Sequence, residues 1–278
     1  MGIFFNYNGK ILSQDTTVVG VSNRGLRYGD GIFETMRVKN NSIQFRDLHF
    51  QRLFHGLSVL KFSIPSHFTP LMLETQILEL CKKNGLGSDV RVRLMIFRSN
   101  GGLYDPKDLR PNYTIETFPL APSDSLNSNG LVIGICPGIE KSCDSLSNLK
   151  SNNFLSYVMA ATWAKEQKFN DALLMNTRGG ICDSTIANIF TIVKGNIYTP
   201  PLSEGCVAGV MRAWLINHLS TIGYKVIEEP INIDALQASD EVFLTNAIKG
   251  IRWVKECGNS TYQNHLIKQI YASLPPTF

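Results

Sequence analysis

No segment of this 278-residue chain reaches the roughly 20 consecutive apolar residues that a membrane-spanning helix needs, so no transmembrane span is expected. Its six cysteines (Cys81, Cys136, Cys143, Cys182, Cys206, Cys257) include no C-x-x-C pair, and its five histidines (His49, His55, His67, His218, His265) form no H-E-x-x-H. Neither a zinc site, nor a disulfide framework, nor any other metal centre is therefore expected, and the thiols read as reduced and partly buried. A G-x-G-x-x-G nucleotide fingerprint is missing too. No block of Lys and Arg interleaves with aromatics, and the net charge is only +4, which argues against nucleic acid as a partner. Met1-Gly2-Ile3-Phe4-Phe5-Asn6-Tyr7 lacks the basic start, apolar stretch and cleavage site of a signal peptide, and Asn6 stands where a lipidation motif wants Ser or Thr. These absences lead us to expect a cytoplasmic location.

What is present is an ordinary globular composition, 44% hydrophobic and 18% charged, in a chain long enough for two modest domains. Asn8-Gly9 reads as a hairpin turn between Phe4 to Tyr7 and Lys10 to Ile11, and Lys39-Asn40-Asn41 as a second turn. Asp47 reads as the N-cap of a helix with Phe50, Leu53, Phe54, Leu57 and Leu60 at helical spacing. A second helix spans about Leu71 to Lys83 and stops at Gly85, before a strand from Val90 to Phe97. Pro, Ser and Asn then accumulate, which places an interdomain linker at 118–129 between an N-terminal domain, 1–117, and a C-terminal one, 130–278. The second domain reads as mixed α and β: a helix over Phe154 to Gln167, one long strand over Ser184 to Val193, a helix over Val210 to Ser220 and a strand over Glu241 to Thr245.

Within Gly180 to Phe190, a β-branched apolar run, stands one carboxylate, Asp183, and a charge in such a run needs a partner. Upstream lies Lys150, in the polar stretch Ser147-Asn148-Leu149-Lys150-Ser151-Asn152-Asn153 that opens a helix. An amine and a carboxylate aimed at one ligand suggest pyridoxal phosphate chemistry, in which the amine forms a Schiff base and the acid keeps the ring nitrogen protonated. Taken singly, each residue has a plainer reading. Lys150 reads as a solvated lysine, Arg52 as a surface arginine, Asp183 as a turn or capping aspartate beside Ser184 and Thr185, and Asn246 as a turn former. Arg91 and Arg93, on one face of their strand by alternation, read equally as edge protection.

Six segments recur in one order: Tyr28-Gly29-Asp30-Gly31-Ile32-Phe33-Glu34-Thr35, His49-Phe50-Gln51-Arg52-Leu53, Lys150 with Asn153, Asp183 through Phe190, Gly209-Val210-Met211-Arg212, and Thr245-Asn246-Ala247-Ile248. Together they resemble the class IV aminotransferases, the fold-type-IV pyridoxal phosphate enzymes, over nearly the whole chain. The resemblance implies a mixed α/β, two-domain fold with a smaller N-terminal domain, a larger barrel-like C-terminal domain and the cofactor between them. It implies that Lys150 binds the cofactor covalently and moves a proton at the substrate Cα, a role needing an amine deprotonated near neutral pH. Asp183 would partner the ring nitrogen from a side chain shorter than the family's usual Glu by about one methylene, roughly 1.5 Å. Arg52, the backbone of Val210 and Met211 at a helix start, Asn246 and Ala247 would hold the phosphate. Tyr28 from a partner subunit, Arg93, Arg98 and Arg27 would meet a carboxylate-bearing substrate.

Two activities fit this resemblance. One is transamination between a branched-chain or D-amino acid and a 2-oxo acid, which Arg93 favours. The other is 4-amino-4-deoxychorismate lysis to pyruvate and p-aminobenzoate, favoured by Phe33-Glu34-Thr35 and Asn246-Ala247-Ile248. A cofactor-binding homologue with little or no activity is a third reading, raised by Asp183 alone. The resemblance also implies a homodimer.

Overall fold

The computed structural model describes residues 2–121 and 125–275, and the chain divides into two units, Met1–Pro122 with Leu149–Asn153, and Ser123–Asn148 with Phe154–Phe278. Within the expected linker, residues 122–124 lie outside the described residues, while Phe118 and Pro119 end a strand.

The first unit contains β1 (Phe4–Tyr7), β2 (Lys10–Ser13), α1 (Arg24–Tyr28), β3 (Gly31–Lys39), β4 (Ser42–Ile43), α2 (Arg46–Val59), α3 (Pro70–Asn84), β5 (Asp89–Arg98) and β6 (Pro111–Pro119). Its sheet runs β2-β1-β6-β5-β3-β4, antiparallel throughout. The Asn8-Gly9 turn forms as expected, with φ of 49° and 84°, the left-handed pair that a tight hairpin requires. Strand alternation sorts β3 and β5 into two faces. Met36, Val38, Val92, Leu94 and Ile96 point into a core with Phe50, Leu53 and Leu57 of α2 and Leu73, Ile77 and Leu80 of α3. Phe33 and Arg93 belong to the opposite face.

α3 begins where Thr69 accepts from Met72 N at 3.2 Å and ends at left-handed Gly85, as the sequence suggested. α2 does not begin on Asp47. Its cap position is Phe45, and Asp47 lies inside the first turn, where a carboxylate still favours the positive helix end. The segment Leu149–Asn153 joins this unit because Phe33 N donates to Lys150 O and Asn152 N to Gly31 O, each at 2.9 Å. Gly31 permits that approach, since a Cβ there would come within 2.6 Å of Asn152 Nδ2 as well as overlapping Ile96 O on β5.

The second unit contains β7 (Leu131–Lys141), α4 (Leu155–Glu166), β8 (Asp171–Asn176), β9 (Ile181–Ser184), β10 (Asn188–Val193), β11 (Asn196–Thr199), α5 (Val210–Thr221), β12 (Val226–Glu228), α6 (Ile233–Gln237), β13 (Glu241–Asn246), β14 (Gly250–Cys257), β15 (Ser260–Thr261) and α7 (His265–Ala272). Its sheet runs β12-β11-β10-β13-β14-β7-β8-β9, and β9 also pairs β10 at Asp183 and Asn188, which closes a barrel. Ile133, Leu173, Ile181, Ile189, Val242, Leu244 and Val254 fill a core there.

The single strand expected over Ser184 to Val193 is instead the end of β9, a turn, and β10. Ser184 Oγ accepts from Ala187 N at 3.0 Å while Ser184 N donates to Ala187 O at 2.8 Å, and this folds the run back on itself. A β-branched stretch that reads as continuous strand is broken by side-chain turn chemistry. Among the described residues, no helix is long and apolar enough to cross a membrane.

Candidate active site

Two constellations, one in each unit, gather most of the residues singled out from sequence. In the first unit the centre is Glu34 of β3, 1% exposed. His49 and Arg52, three residues apart on α2, turn to it together. Arg52 donates from Nε to Glu34 Oε1 at 2.8 Å and from Nη2 to Oε2 at 2.5 Å, a bidentate fork, and His49 Nδ1 meets Oε2 at 2.7 Å. Burial pushes the Glu34 carboxyl up, but the charges of Arg52 and His49 and their hydrogen bonds overcome it and hold Glu34 at about 2. Burial pulls the His49 imidazole below its ordinary value, against the pull of Glu34. Its Nε2 is buried with no hydrogen-bond partner among the described residues.

On the other face of that sheet stands Phe33. The Lys150 ammonium lies 4.5 Å from its ring centroid and the Arg93 guanidinium 4.1 Å from it, so an amine and a forked cation share one aromatic platform. Arg93 is half-buried, and burial pulls its guanidinium down against the opposing effect of Glu116. Arg98 is not beside Arg93. As the last residue of β5 it falls on the helix side of the sheet, where it is buried, donates to Asp30 Oδ1 at 2.9 Å and to Leu60 O, and lies 4.1 Å from the Phe62 ring. Arg27 is exposed, with Nε on Val21 O at 2.9 Å. Tyr28 is organised by Arg24, a residue sequence reasoning passed over. Arg24 lies 5.0 Å from the Tyr28 ring, pairs with Asp30 Oδ2 at 2.7 Å and donates to Leu103 O and Tyr104 O at 2.7 and 2.9 Å.

In the second unit the centre is Asp183, 2% exposed. Its Oδ2 accepts from Lys141 Nζ at 2.7 Å, Tyr157 Oη at 2.8 Å and Val207 N at 3.0 Å, and its Oδ1 from Asn188 Nδ2 at 3.0 Å. Asn188 Nδ2 also donates to Val207 O at 2.8 Å. Just beyond, α5 starts at Gly209 with no side-chain cap, and the N–H groups of Val210 and Met211 have no partner among the described residues. Thr245 pairs in register with Asn188, and its buried Oγ1 lacks a partner among the described residues. Asn246 Oδ1 accepts from Ile248 N at 3.0 Å and Lys249 N at 2.8 Å, closing the turn that carries Ala247. Among the described residues no group of three or more His, Cys, Asp or Glu could hold a metal ion.

Lys141 and Tyr157 escaped sequence reasoning because nothing in their local pattern marks them. Glu34 and His49 lay inside two of the motif segments but carried no assigned role. Taken unit by unit, the second offers uncapped helical N–H groups and an orphaned hydroxyl of the kind that suits a phosphate ester and a carboxylate of the kind that suits a ring nitrogen, and the first offers a pinned guanidinium that suits a phosphate and an amine that suits an aldehyde.

Residues 31–257 match the family described as amino-transferase class IV. The chain belongs to that family. Among relatives, it is 28% identical to a Methanocaldococcus jannaschii protein assigned as a branched-chain-amino-acid aminotransferase, over 98% of this chain and 93% of that one. It is also 28% identical to an aminodeoxychorismate lyase of Vibrio harveyi, over 84% of this chain and 86% of the relative. The crystal structure of a branched-chain aminotransferase from Thermoproteus uzoniensis with norvaline shares the fold, with a TM-score of 0.88 at 22% identity, covering 98% of this chain and 93% of that one. Class IV aminotransferases use pyridoxal 5′-phosphate, and the donors described above fit that cofactor.

Proposed function

We propose that this class IV aminotransferase moves an amino group between an amino acid, branched-chain or of D configuration, and a 2-oxo acid. The observation that carries this reading is the Phe33 platform, which sets the Lys150 amine and the half-buried Arg93 guanidinium over one ring. An amine that exchanges a proton with Cα beside a cation that takes the carboxylate is what amino-acid chemistry asks for.

Bound pyridoxal phosphate supplies an electron sink for the charge that builds on the substrate Cα. Lys150 holds the cofactor covalently and carries the Cα proton. Asp183 receives the hydrogen bond of the ring N–H. Arg52, fixed by Glu34, and the N–H groups of Val210 and Met211 take the phosphate, with Asn246 and Ala247 completing the set through their turn. Tyr28, Arg93, Arg98 and Arg27 are the substrate-facing candidates. Arg93 leads them, because Arg98 is already engaged by Asp30 and Leu60 and Arg27 by Val21.

The similarity to the Vibrio harveyi lyase supports a second reading, aminodeoxychorismate lysis from the same Cα deprotonation. A panel of both enantiomers of several amino donors against 2-oxoglutarate and pyruvate separates the two. Keto-acid formation from one enantiomer supports transamination. Pyruvate release from aminodeoxychorismate, with every donor inert, supports the lyase. Lys150→Ala should lose the visible absorption of bound cofactor and all turnover, and retained turnover in that variant would refute both readings.

The working form we propose is a homodimer of a cytoplasmic protein. Exposed Leu155, Val158 and Met159 on α4 support the first of these points.

A further inference from the structure

Lys141 is a buried charge to which the proposed chemistry assigns no task. It ends β7 with a side chain 8% exposed, and an ammonium withdrawn from water to that degree needs a matched partner. Its partners are Asp183 Oδ2 at 2.7 Å and the Tyr157 hydroxyl, with the Tyr157 ring centroid 4.9 Å away. Tyr157 is itself fixed by stacking on Phe154, 4.3 Å between centroids, and donates its own hydroxyl proton to Asp183 Oδ2 at 2.8 Å. Burial pulls the Lys141 ammonium down, but the Asp183 charge more than offsets this and leaves it above its usual value. Burial and the same carboxylate push Tyr157 well above the ordinary phenol range, so it remains a donor. The Cys182 and Cys206 thiols that face the pair are both pushed up by burial and add no charge.

The two oxygens of Asp183 are treated unequally. A carboxylate offers about two lone-pair directions per oxygen. Oδ2 receives three donors from three different elements: Lys141 on β7, Tyr157 on α4 and the Val207 backbone before α5. Oδ1 receives one, Asn188 Nδ2. Oδ2 is saturated and Oδ1 keeps an open acceptor direction. Asp has only two side-chain torsions, and donors on both oxygens fix both of them.

We propose that Lys141 and Tyr157 are positioning residues, which balance the charge of Asp183 and occupy Oδ2 so that Oδ1 is the oxygen left to accept from the cofactor ring nitrogen. This rests on the assignment of Asp183 to that nitrogen made above. The clamp gives the shorter carboxylate a fixed aim. Without the ammonium, Asp183 would be a buried charge lacking its counter-ion, free to turn toward whichever donors remain.

The test compares apparent affinities for pyridoxal 5′-phosphate and for its 1-deaza analogue, in which a C–H replaces the ring nitrogen, in the parent, Lys141→Met, Lys141→Arg and Tyr157→Phe. The parent should prefer the natural cofactor by roughly ten- to a hundredfold, the scale of one hydrogen bond to a charged group. Lys141→Met should bring that preference to within about threefold of unity while leaving affinity for the analogue nearly unchanged. Lys141→Arg, which restores the charge, should keep most of the preference, and Tyr157→Phe should narrow it in part. Without cofactor, Lys141→Met should lower the melting temperature, and the double variant Lys141→Met/Asp183→Asn should recover part of the loss.

A preference that survives in Lys141→Met overturns the proposal, as does an equal weakening of both ligands, which would mark a purely structural pair. If Lys141→Met does not fold, an unchanged preference in Tyr157→Phe has the same force. A parent that binds both ligands equally overturns the Asp183 assignment itself, and a parent that binds neither overturns the cofactor reading of the site.

Discussion

Glu34 shows how one residue can tie pH to stability. Its carboxyl stands at about 2 in the folded chain against an ordinary value of 4.5. A depressed carboxyl contributes stability above its unfolded value and loses it as pH falls through the folded one, so the loss should fall between about pH 4.5 and 2. The size is on the order of 3 kcal/mol, since each tenfold change in proton affinity is worth about 1.36 kcal/mol. Urea unfolding of the parent at a series of acidic pH values should show that decline, and Glu34→Gln, less stable at neutral pH because Arg52 loses its partner, should decline less steeply. Parallel curves would exclude Glu34 as the source.

Asp183 carries a second prediction at this scale. It is 2% exposed and ringed by donors, so the methylene added in Asp183→Glu must displace Lys141, Tyr157 or the Val207 backbone. Overpacking of this kind costs about 1–3 kcal/mol. The variant should bind pyridoxal phosphate and melt lower than the parent, and a higher melting temperature would contradict the tight clamp. That a carboxylate in an apolar run needs a partner was legible in the sequence. Which partner it takes was not, because Lys141 ends a strand far away in sequence and comes near only through the pairing of β7 with β8 and of β8 with β9.

At the scale of elements, legibility followed turn chemistry. The Asn8-Gly9 hairpin and the Gly85 stop of α3 are written in residues with one conformational use, and both formed as read. The Ser184 turn between β9 and β10 was not readable, because Thr185 and Ile186 look like more strand while the turn depends on one hydroxyl. Strand β6 was missed for a related reason. Pro119 and the polar residues after it drew its end into the supposed linker, although Tyr113, Ile115 and Thr117 alternate inward.

The start of α5 gives the prediction that belongs here. Gly209 has φ of −67°, open to any residue, so its absent side chain reflects space. A Cβ there would overlap Asn188 Oδ1, and Asn188 cannot easily retreat because its amide holds Asp183 Oδ1 and Val207 O. Gly209→Ala should therefore disturb both the uncapped N–H groups and the Asp183 clamp, at a stability cost of about 1–3 kcal/mol. Calorimetric titration should show at least about a tenfold loss of pyridoxal phosphate affinity, the worth of one charge-assisted hydrogen bond. Affinity and melting temperature equal to the parent's would mean the phosphate does not use this helix start.

For the whole molecule, the mild charge and mixed composition said little, whereas motif segments spread along the chain said much, because family membership rests on many weak matches in one order. One whole-chain feature follows from the surface of α4. Its inward side, Tyr157, Ala160 and Ala164, packs in a core with Ala172 and Leu174 of β8. Leu155, Val158 and Met159, at helical spacing on the outward side, are 73%, 55% and 48% exposed. A helix apolar on both sides is one that another surface covers. If that surface is a second copy, light scattering should give a mass near twice 31.0 kDa. Val158→Glu/Met159→Glu, which places two carboxylates on the face without touching the packed side, should yield single chains with unchanged circular dichroism. A parent already at the single-chain mass would remove the dimer, and would leave this stripe of α4 as surface whose apolar character has some other cause.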